Sequence, residues 1–155
     1  MDLIPLIIVA AISGGTTLLF AVLGGILNEK AGIINLGTEG IMLVGAVMAA
    51  IMFIQTQNLF LTLVVTVVAS GILGLVHAFL CITLRTNQIV SGLAITLFGT
   101  GFSAYIGKSA AGMPIPVNIP TLDLPLVTSI LYIGPIFSGL NIFVWGSIVL
   151  SILLY

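Results

Sequence analysis

The segment that decides the fold reads Asn28-Glu29-Lys30-Ala31-Gly32-Ile33-Ile34-Asn35-Leu36-Gly37-Thr38-Glu39-Gly40, and it lies between two long apolar runs. It brings together two carboxylates, a lysine, two asparagines and three glycines, whereas residues 41–84 contain no Asp, Glu, Lys or Arg. Ionisable groups at membrane depth are costly and by default mark a pathway or a site. We therefore expect this segment to carry function.

The composition sets the class of protein. Hydrophobic residues make up 60% of the 155-residue chain and charged residues 5%, whereas soluble domains carry roughly 25% charge. The mean hydropathy is +1.40. Because the lipid core offers the backbone no water, the spans must be helices or a closed barrel. The run Leu59–Leu84 is apolar on all sides and lacks the alternation of a barrel strand. The sequence predicts an all-α integral membrane protein.

About five spans are predicted, since roughly 20 apolar residues cross a bilayer. They cover about residues 3–27, 40–54, 59–84, 88–106 and 140–155, with a broken or re-entrant segment at about 28–40. Five of the six prolines fall in a loop over residues 107–135, where they prevent a continuous helix. We treat residues 1–155 as a single transmembrane domain.

The basic residues indicate the orientation. Lys30 and Arg85 fall on one side of this topology and Lys108 on the other. Cytoplasmic loops carry the excess of Lys and Arg, so the pattern favours an N-terminus outside and a proline-rich loop that is external.

Two polar clusters are candidates for a translocation pathway. On a helix, Asn28, Asn35 and Glu39 would share one face, but the glycines suggest a break, and transporters build sites from broken helices. The alternative is an ordinary cytoplasmic loop in which Asn35 caps the next helix. The second cluster comprises Asn87, Gln88 and Ser91. Gln88 and Ser91 could bond either a solute or a neighbouring helix. The candidate pathway residues are Asn28, Glu29, Asn35, Thr38, Glu39, Asn87, Gln88 and Ser91.

Small residues at helical spacing indicate where helices pack. Backbones approach closely at such positions in lipid, and the predicted packing residues are Ser70, Gly74, Ala78, Gly99 and Ser103. His77 lies in the third span without carboxylate companions, and we interpret it as an interhelical hydrogen-bonding group. Cys81 is the single cysteine, which argues against a disulfide or a thiolate metal site.

Motifs for covalent chemistry are absent from the sequence. Gly107-Lys108-Ser109 fails as a phosphate loop because the required first glycine would be residue 102, which is Phe102. There is no HExxH and no GxSxG, so we predict no catalytic residue, cofactor or metal ligand. Three basic residues form no patch for nucleic acid.

Three motifs carry a family resemblance: residues 28–45, Thr86-Asn-Gln-Ile-Val-Ser-Gly-Leu-Ala94 and Met113-Pro-Ile-Pro116. Their order resembles that of ABC-importer permeases of the branched-chain amino acid and simple-sugar superfamily, nearest to its nucleoside (basic-membrane-lipoprotein-linked) branch. Such permeases are usually about twice this length and carry a cytoplasmic coupling segment beyond the point that Tyr155 reaches. The resemblance thus implies an N-terminal half.

The resemblance also implies partners and a mechanism. A second permease subunit, two cytosolic ATP-binding subunits and an external solute-binding lipoprotein would complete the importer, with ATP hydrolysed outside this chain. The neutral amides and hydroxyls suit a nucleoside or simple sugar, moved by alternating access. Two alternatives stay open: a gradient-driven secondary transporter or channel segment that uses Glu39 or His77, and an assembly subunit that moves no solute.

Overall fold

A computed structural model describes residues 3–114 and 140–154. Their helices are α1 (Leu3–Lys30), α2 (Thr38–Thr56), α3 (Leu59–Ala78) with its π-helical extension Phe79–Thr83, α4 (Gln88–Gly107) and α5 (Ile142–Leu154). The described part of the chain contains no β-strand. The predicted all-α membrane fold is therefore confirmed.

Four of these helices are long and apolar enough to cross a membrane: Pro5–Lys30, Thr38–Thr56, Leu59–Thr83 and Gln88–Gly107. Their outer faces are apolar, and Leu3, Phe60, Leu75 and Leu97 are each more than 70% exposed. Such faces require lipid as their solvent. The predicted fifth span appears as α5, whose 13 residues are fewer than the roughly 20 that cross a bilayer.

The turn between the second and third predicted spans, expected over residues 55–58, is shorter than this gap. Helix α2 continues through Thr56, and α3 begins at Leu59, so only Gln57 and Asn58 form the turn. Gln57 takes a left-handed conformation (φ 51°) that ends α2. Asn58 caps α3, because its side chain accepts a hydrogen bond from the Leu61 N–H at 3.1 Å. Most of the proline-rich loop, residues 115–139, lies outside the described residues.

The described residues fall into two compact units. Residues 3–24 and 140–154 belong to the first, and residues 25–114 to the second. In the second unit α2 packs against both α3 and α4. The apolar and small residues of α2 that are buried there are Gly40, Val44, Gly45 and Phe53.

Glycines set how closely α2 approaches its neighbours. Gly99 of α4 lies directly against the backbone of Gly40, and a methyl group built on Gly40 would come within 2.6 Å of Thr96 Cα. A methyl group on Gly45 would come within 2.6 Å of Ser70 Oγ on α3. Small residues at helix crossings in lipid allow this approach. The two contacts fix α2 between α3 and α4.

The predicted packing residues differ in what they contact. Ser70 lies against Gly45 and Gly99 against Gly40, while a methyl group on Gly74 would meet no atom within 4 Å. Ser103 bonds its own helix, donating to the Gly99 carbonyl at 2.6 Å. Ala78 is half-buried at the end of α3. The close helix contacts are thus made at Ser70 and Gly99.

The Gly40–Gly99 crossing predicts the effect of one methyl group. We expect Gly99→Ala to lower the unfolding temperature of the detergent-solubilised protein, because its Cβ would overlap the Gly40 backbone; overpacking costs about 1–3 kcal/mol. Gly101→Ala is the matched control two residues along α4, since nothing lies within 4 Å of its added methyl and alanine favours a helix interior by about 1 kcal/mol. Equal unfolding temperatures for the two variants would contradict this packing.

Candidate functional site

The predicted break between the first two spans lies between Lys30, where α1 ends, and Thr38, where α2 begins. It falls inside the expected range of 28–40. Helix α1 ends in a Schellman motif centred on Gly32, which adopts φ 78°. The Gly32 N–H donates to the Glu29 carbonyl and the Ile33 N–H to the Asn28 carbonyl, both at 2.9 Å. A left-handed residue at this position favours glycine, so Gly32 ends the helix.

The chain from residue 31 to residue 37, the break segment, then runs against the face of α4 that carries Gln88, Gly92 and Thr96. These three residues are spaced four apart and so lie along one face of the helix. The side chains of Gln88 and Thr96 bond successive parts of the break segment. Between them Gly92, which has no side chain, lets the backbone come close. The α4 face therefore replaces some of the helical hydrogen bonds that the break segment lacks.

Gln88 bonds the break segment on both sides of Ile33. Its Oε1 accepts from the Ile34 N–H at 2.8 Å, and its Nε2 donates to the Gly32 carbonyl at 3.4 Å. One turn further on, the backbone of Leu36 packs against Gly92. A methyl group on Gly92 would come within 2.8 Å of Leu36 N, so this contact requires glycine. On the next turn Thr96 Oγ1 donates to the Leu36 carbonyl at 2.8 Å. We call this arrangement the α4 clamp.

Local bonds complete the entry into α2. Asn35 Oδ1 accepts from the Gly37 N–H at 2.8 Å, and Thr38 Oγ1 donates to the Asn35 carbonyl at 3.1 Å. Gly37 is buried, and a methyl group on it would come within 3.0 Å of Ile95 Cγ2. Asn35 thus stabilises the turn before α2. It does not cap the helix as the loop alternative expected, because the N-cap residue is Gly37 and no side chain caps it.

The carboxylates lie on exposed positions. Glu29 is exposed in the last turn of α1, and Glu39 is exposed in the first turn of α2. An acid in the first turn is stabilised by the helix dipole. Asn28 is half-buried, one residue before Glu29. All three side chains lie beside the break segment, and the two carboxylates are exposed.

The second cluster lies at the same end of the second unit, because Gln88 touches the break segment directly. Asn87 caps α4, and its Oδ1 accepts from the N–H groups of Ile89 and Val90 at 3.0 and 3.3 Å. Before it, Leu84 N–H donates to the Phe79 carbonyl at 3.1 Å, which is the wider i to i+5 spacing of a π-helix. Arg85, at φ 52°, ends that element.

Ser91 and His77 form a buried polar pair between α3 and α4. His77 Nδ1 and Ser91 Oγ share a hydrogen bond of 3.1 Å, and the two residues are 2% and 6% exposed. Cys81 Sγ lies 3.8 and 3.7 Å from His77 Nδ1 and Nε2, and these near-equal distances place it in line with neither ring nitrogen. The interpretation of His77 as an interhelical hydrogen-bonding group is confirmed.

The structure thus sorts the eight candidate residues. Five have side chains bonded within the protein (Asn35, Thr38, Asn87, Gln88 and Ser91), and three lie exposed or half-buried beside the break (Asn28, Glu29 and Glu39).

Sequence analysis missed Gly92 and Thr96. The four-residue spacing from Gln88 to Gly92 to Thr96 was the available signal. Among the described residues, no three His, Cys, Asp or Glu side chains are grouped to hold a metal ion.

Four membrane-length apolar helices and a clamped break define a multi-pass α-helical membrane protein. The chain belongs to the family described as the branched-chain amino acid transport system / permease component, whose model matches residues 7–154. No solved structure matches the chain.

Three similar proteins each match about three quarters or more of this chain. TsgC13 of Haloferax volcanii, provisionally named a glucose ABC transporter permease protein, is 40% identical over 118 residues, which is 76% of this chain and 36% of the relative. The guanosine ABC transporter permease protein NupQ of Bacillus subtilis is 30% identical over 85% of this chain and 46% of its own. The nucleoside ABC transporter permease protein NupC of Lactococcus lactis is 28% identical over 79% and 41%. The chain spans less than half the length of these relatives.

The α4 clamp predicts the effect of removing the Gln88 amide. We expect Gln88→Met, which keeps the length of the side chain, to lower the unfolding temperature because the Ile34 N–H loses its acceptor; a hydrogen bond of this kind contributes about 0.5–1.5 kcal/mol. The same substitution at the exposed Gln55 of α2 is the control, measured by thermal unfolding in detergent. If both variants unfold at the wild-type temperature, Gln88 does not hold the break segment.

Proposed function

We propose that this chain forms the N-terminal half of an ABC-importer permease that moves a small neutral polar solute, a nucleoside or a simple sugar, by alternating access. The observation that carries the proposal is the family match over residues 7–154. Two relatives at 30% identity or more, whose names give guanosine and glucose as solutes, support the solute class. The chain itself would hydrolyse nothing.

The electrostatics of the site agree with a neutral solute. The candidate pathway groups are amides and hydroxyls apart from Glu29 and Glu39. An anionic solute such as a phosphate ester would call for Arg or Lys partners, and the whole chain has only three basic residues. We propose that Asn28, Glu29 and Glu39 line the pathway, while Asn35, Thr38 and Gln88 hold the break segment in shape. Asn87 caps α4 and Ser91 bonds His77, so these two support the helices beside it.

The partners follow from the same proposal. A second permease subunit, cytosolic ATP-binding subunits and an external solute-binding lipoprotein would complete the importer. Lys30 precedes the break segment and Arg85 precedes Gln88, so both basic residues lie at the clamped end of the second unit, whereas Lys108 follows the opposite end of α4. Under the positive-inside rule the clamped end faces the cytoplasm and the N-terminus is outside. A cysteine at position 29 should then react with an impermeant thiol reagent only in inside-out vesicles.

The proposal predicts ATP-dependent uptake. The full-length subunit, reconstituted in liposomes with its ATP-binding and solute-binding partners, should accumulate labelled guanosine or glucose only when ATP is present in the compartment of the ATP-binding subunits. Accumulation should persist when ionophores collapse the proton and sodium gradients. Uptake without nucleotide that follows an ion gradient would contradict the proposal and favour a secondary transporter.

Variants within that assay separate a pathway from an assembly role. We expect Asn28→Ala and Glu39→Gln to lower the uptake rate while the amount of assembled complex stays constant, because both side chains lie beside the break with room to meet a solute. Uptake that is unchanged in both variants would support the assembly role for this segment.

A further inference from the structure

The first span contains only three polar side chains, and all three lie on one face. Between Leu3 and Leu27 every side chain is apolar except those of Ser13, Thr16 and Thr17. Their spacing of three and four residues places them along one side of α1, and Phe20 extends that side by a further turn. Hydroxyls in lipid can satisfy themselves on the preceding turn of their own helix, so this pattern alone does not define a site.

A cavity provides the second observation. Ser13, Thr16, Thr17 and Phe20 all line one partly open cavity of about 360 Å³, which Asn141 and Phe143 line from the start of α5. All of these residues belong to the first unit. Small-molecule sites are concave, mostly apolar and carry a few placed polar groups, at volumes of about 300–1,000 Å³. The polar groups of the first span therefore converge on a space of ligand size.

The hydrogen bonds of the lining determine what it can offer a ligand. Thr16 Oγ1 donates to the Ile12 carbonyl and Thr17 Oγ1 to the Gly14 carbonyl, both at 2.9 Å. Because these hydroxyl hydrogens are already engaged, the two threonines present oxygen lone pairs as acceptors. Ser13 can donate or accept.

The α5 side of the cavity supplies a donor and an aromatic ring. Asn141 Oδ1 accepts from the N–H groups of Phe143 and Val144 at 3.1 Å each. Any contact that Asn141 makes with a ligand would therefore use its amide nitrogen. The rings of Phe20 and Phe143 offer apolar faces to a flat or puckered ring. Among the residues that the structure describes, none that lines the cavity carries a charge, so this part of the lining offers a charged ligand no counterion.

We propose that this cavity is a binding site for one neutral, ring-shaped, hydroxyl-bearing solute. The ring packs on Phe20 or Phe143, its hydroxyls donate to Thr16 and Thr17, and Asn141 donates to a ring substituent. The choice of probes, guanosine and glucose, rests on the proposed function. The site itself rests on the cavity.

Thiol labelling tests the site directly. In a Cys81→Ala background of the full-length subunit assembled with its partners, Thr17→Cys should react with a small water-soluble thiol reagent, and guanosine or glucose should slow that reaction. Val22→Cys is the matched control, because it is exposed on an apolar side of the same helix and should stay unlabelled. Both variants are first compared with the wild type by size-exclusion chromatography.

Kinetics give a second readout. Thr17→Val removes the acceptor but keeps the shape of the side chain, and we expect it to raise KM for the transported solute about two- to ten-fold, the equivalent of one hydrogen bond, with kcat little changed. The control substitution is Thr56→Val, because Thr56 is an exposed threonine of α2 that likewise bonds its own helix, at the Met52 carbonyl. This control should leave KM unchanged.

The outcomes distinguish the site from the proposed function. Protection by guanosine alone assigns a nucleoside, protection by glucose alone assigns a sugar, and protection by both supports the shared ring chemistry. No labelling of Thr17→Cys, or labelling that neither solute slows, overturns the site. If ATP-dependent uptake fails but protection is observed, the site stands and only the proposed function falls.

Discussion

The fold depends on one constraint, which is that the backbone of the break segment must find hydrogen-bond partners outside its own helices. Residues 31–37 leave the helical conformation between two membrane-length helices, and a buried backbone group left without a partner costs about 1–3 kcal/mol. The α4 clamp supplies those partners from one helix face, through the Gln88 amide and the Thr96 hydroxyl. The break segment keeps its non-helical conformation because α4 binds it at these points.

The glycines are what make the clamp possible. Gly92 lets Leu36 and Gly37 approach α4, and Gly99 does the same for Gly40 one crossing further along. A helix face with ordinary side chains would hold the break segment too far away for Gln88 and Thr96 to reach its backbone. Hydrogen bonding and close packing therefore act on the same face. This coupling explains why polar groups and glycines alternate along the start of α4.

Much of this architecture could be predicted from the sequence, because its signals are local. The apolar runs predicted the helices to within a few residues, and Gly32 and Gly37 marked the break. The pairing of Gln88 with Ile34 was not predictable, since 54 residues separate them and a glutamine in such a place serves a solute or a neighbouring segment equally well. Ser91 was ambiguous for the same reason, until His77 proved to be its partner. The hydroxyls of α1 were missed because each one, taken singly, is ordinary in a membrane helix.

The same physics connects the fold to transport. A permease needs polar groups within an apolar bundle. In the second unit Gln88 and Thr96 bind the break segment, and in the first unit Ser13, Thr16 and Thr17 line the cavity. The measurement that tests the clamp most directly is the hydrogen–deuterium exchange rate of individual amides in the wild-type full-length subunit. We expect the Ile34 amide, bonded to Gln88, to exchange at least about ten-fold more slowly than the neighbouring Asn35 amide, as an opening free energy of about 1.4 kcal/mol requires. Equal exchange at the two amides would contradict the account.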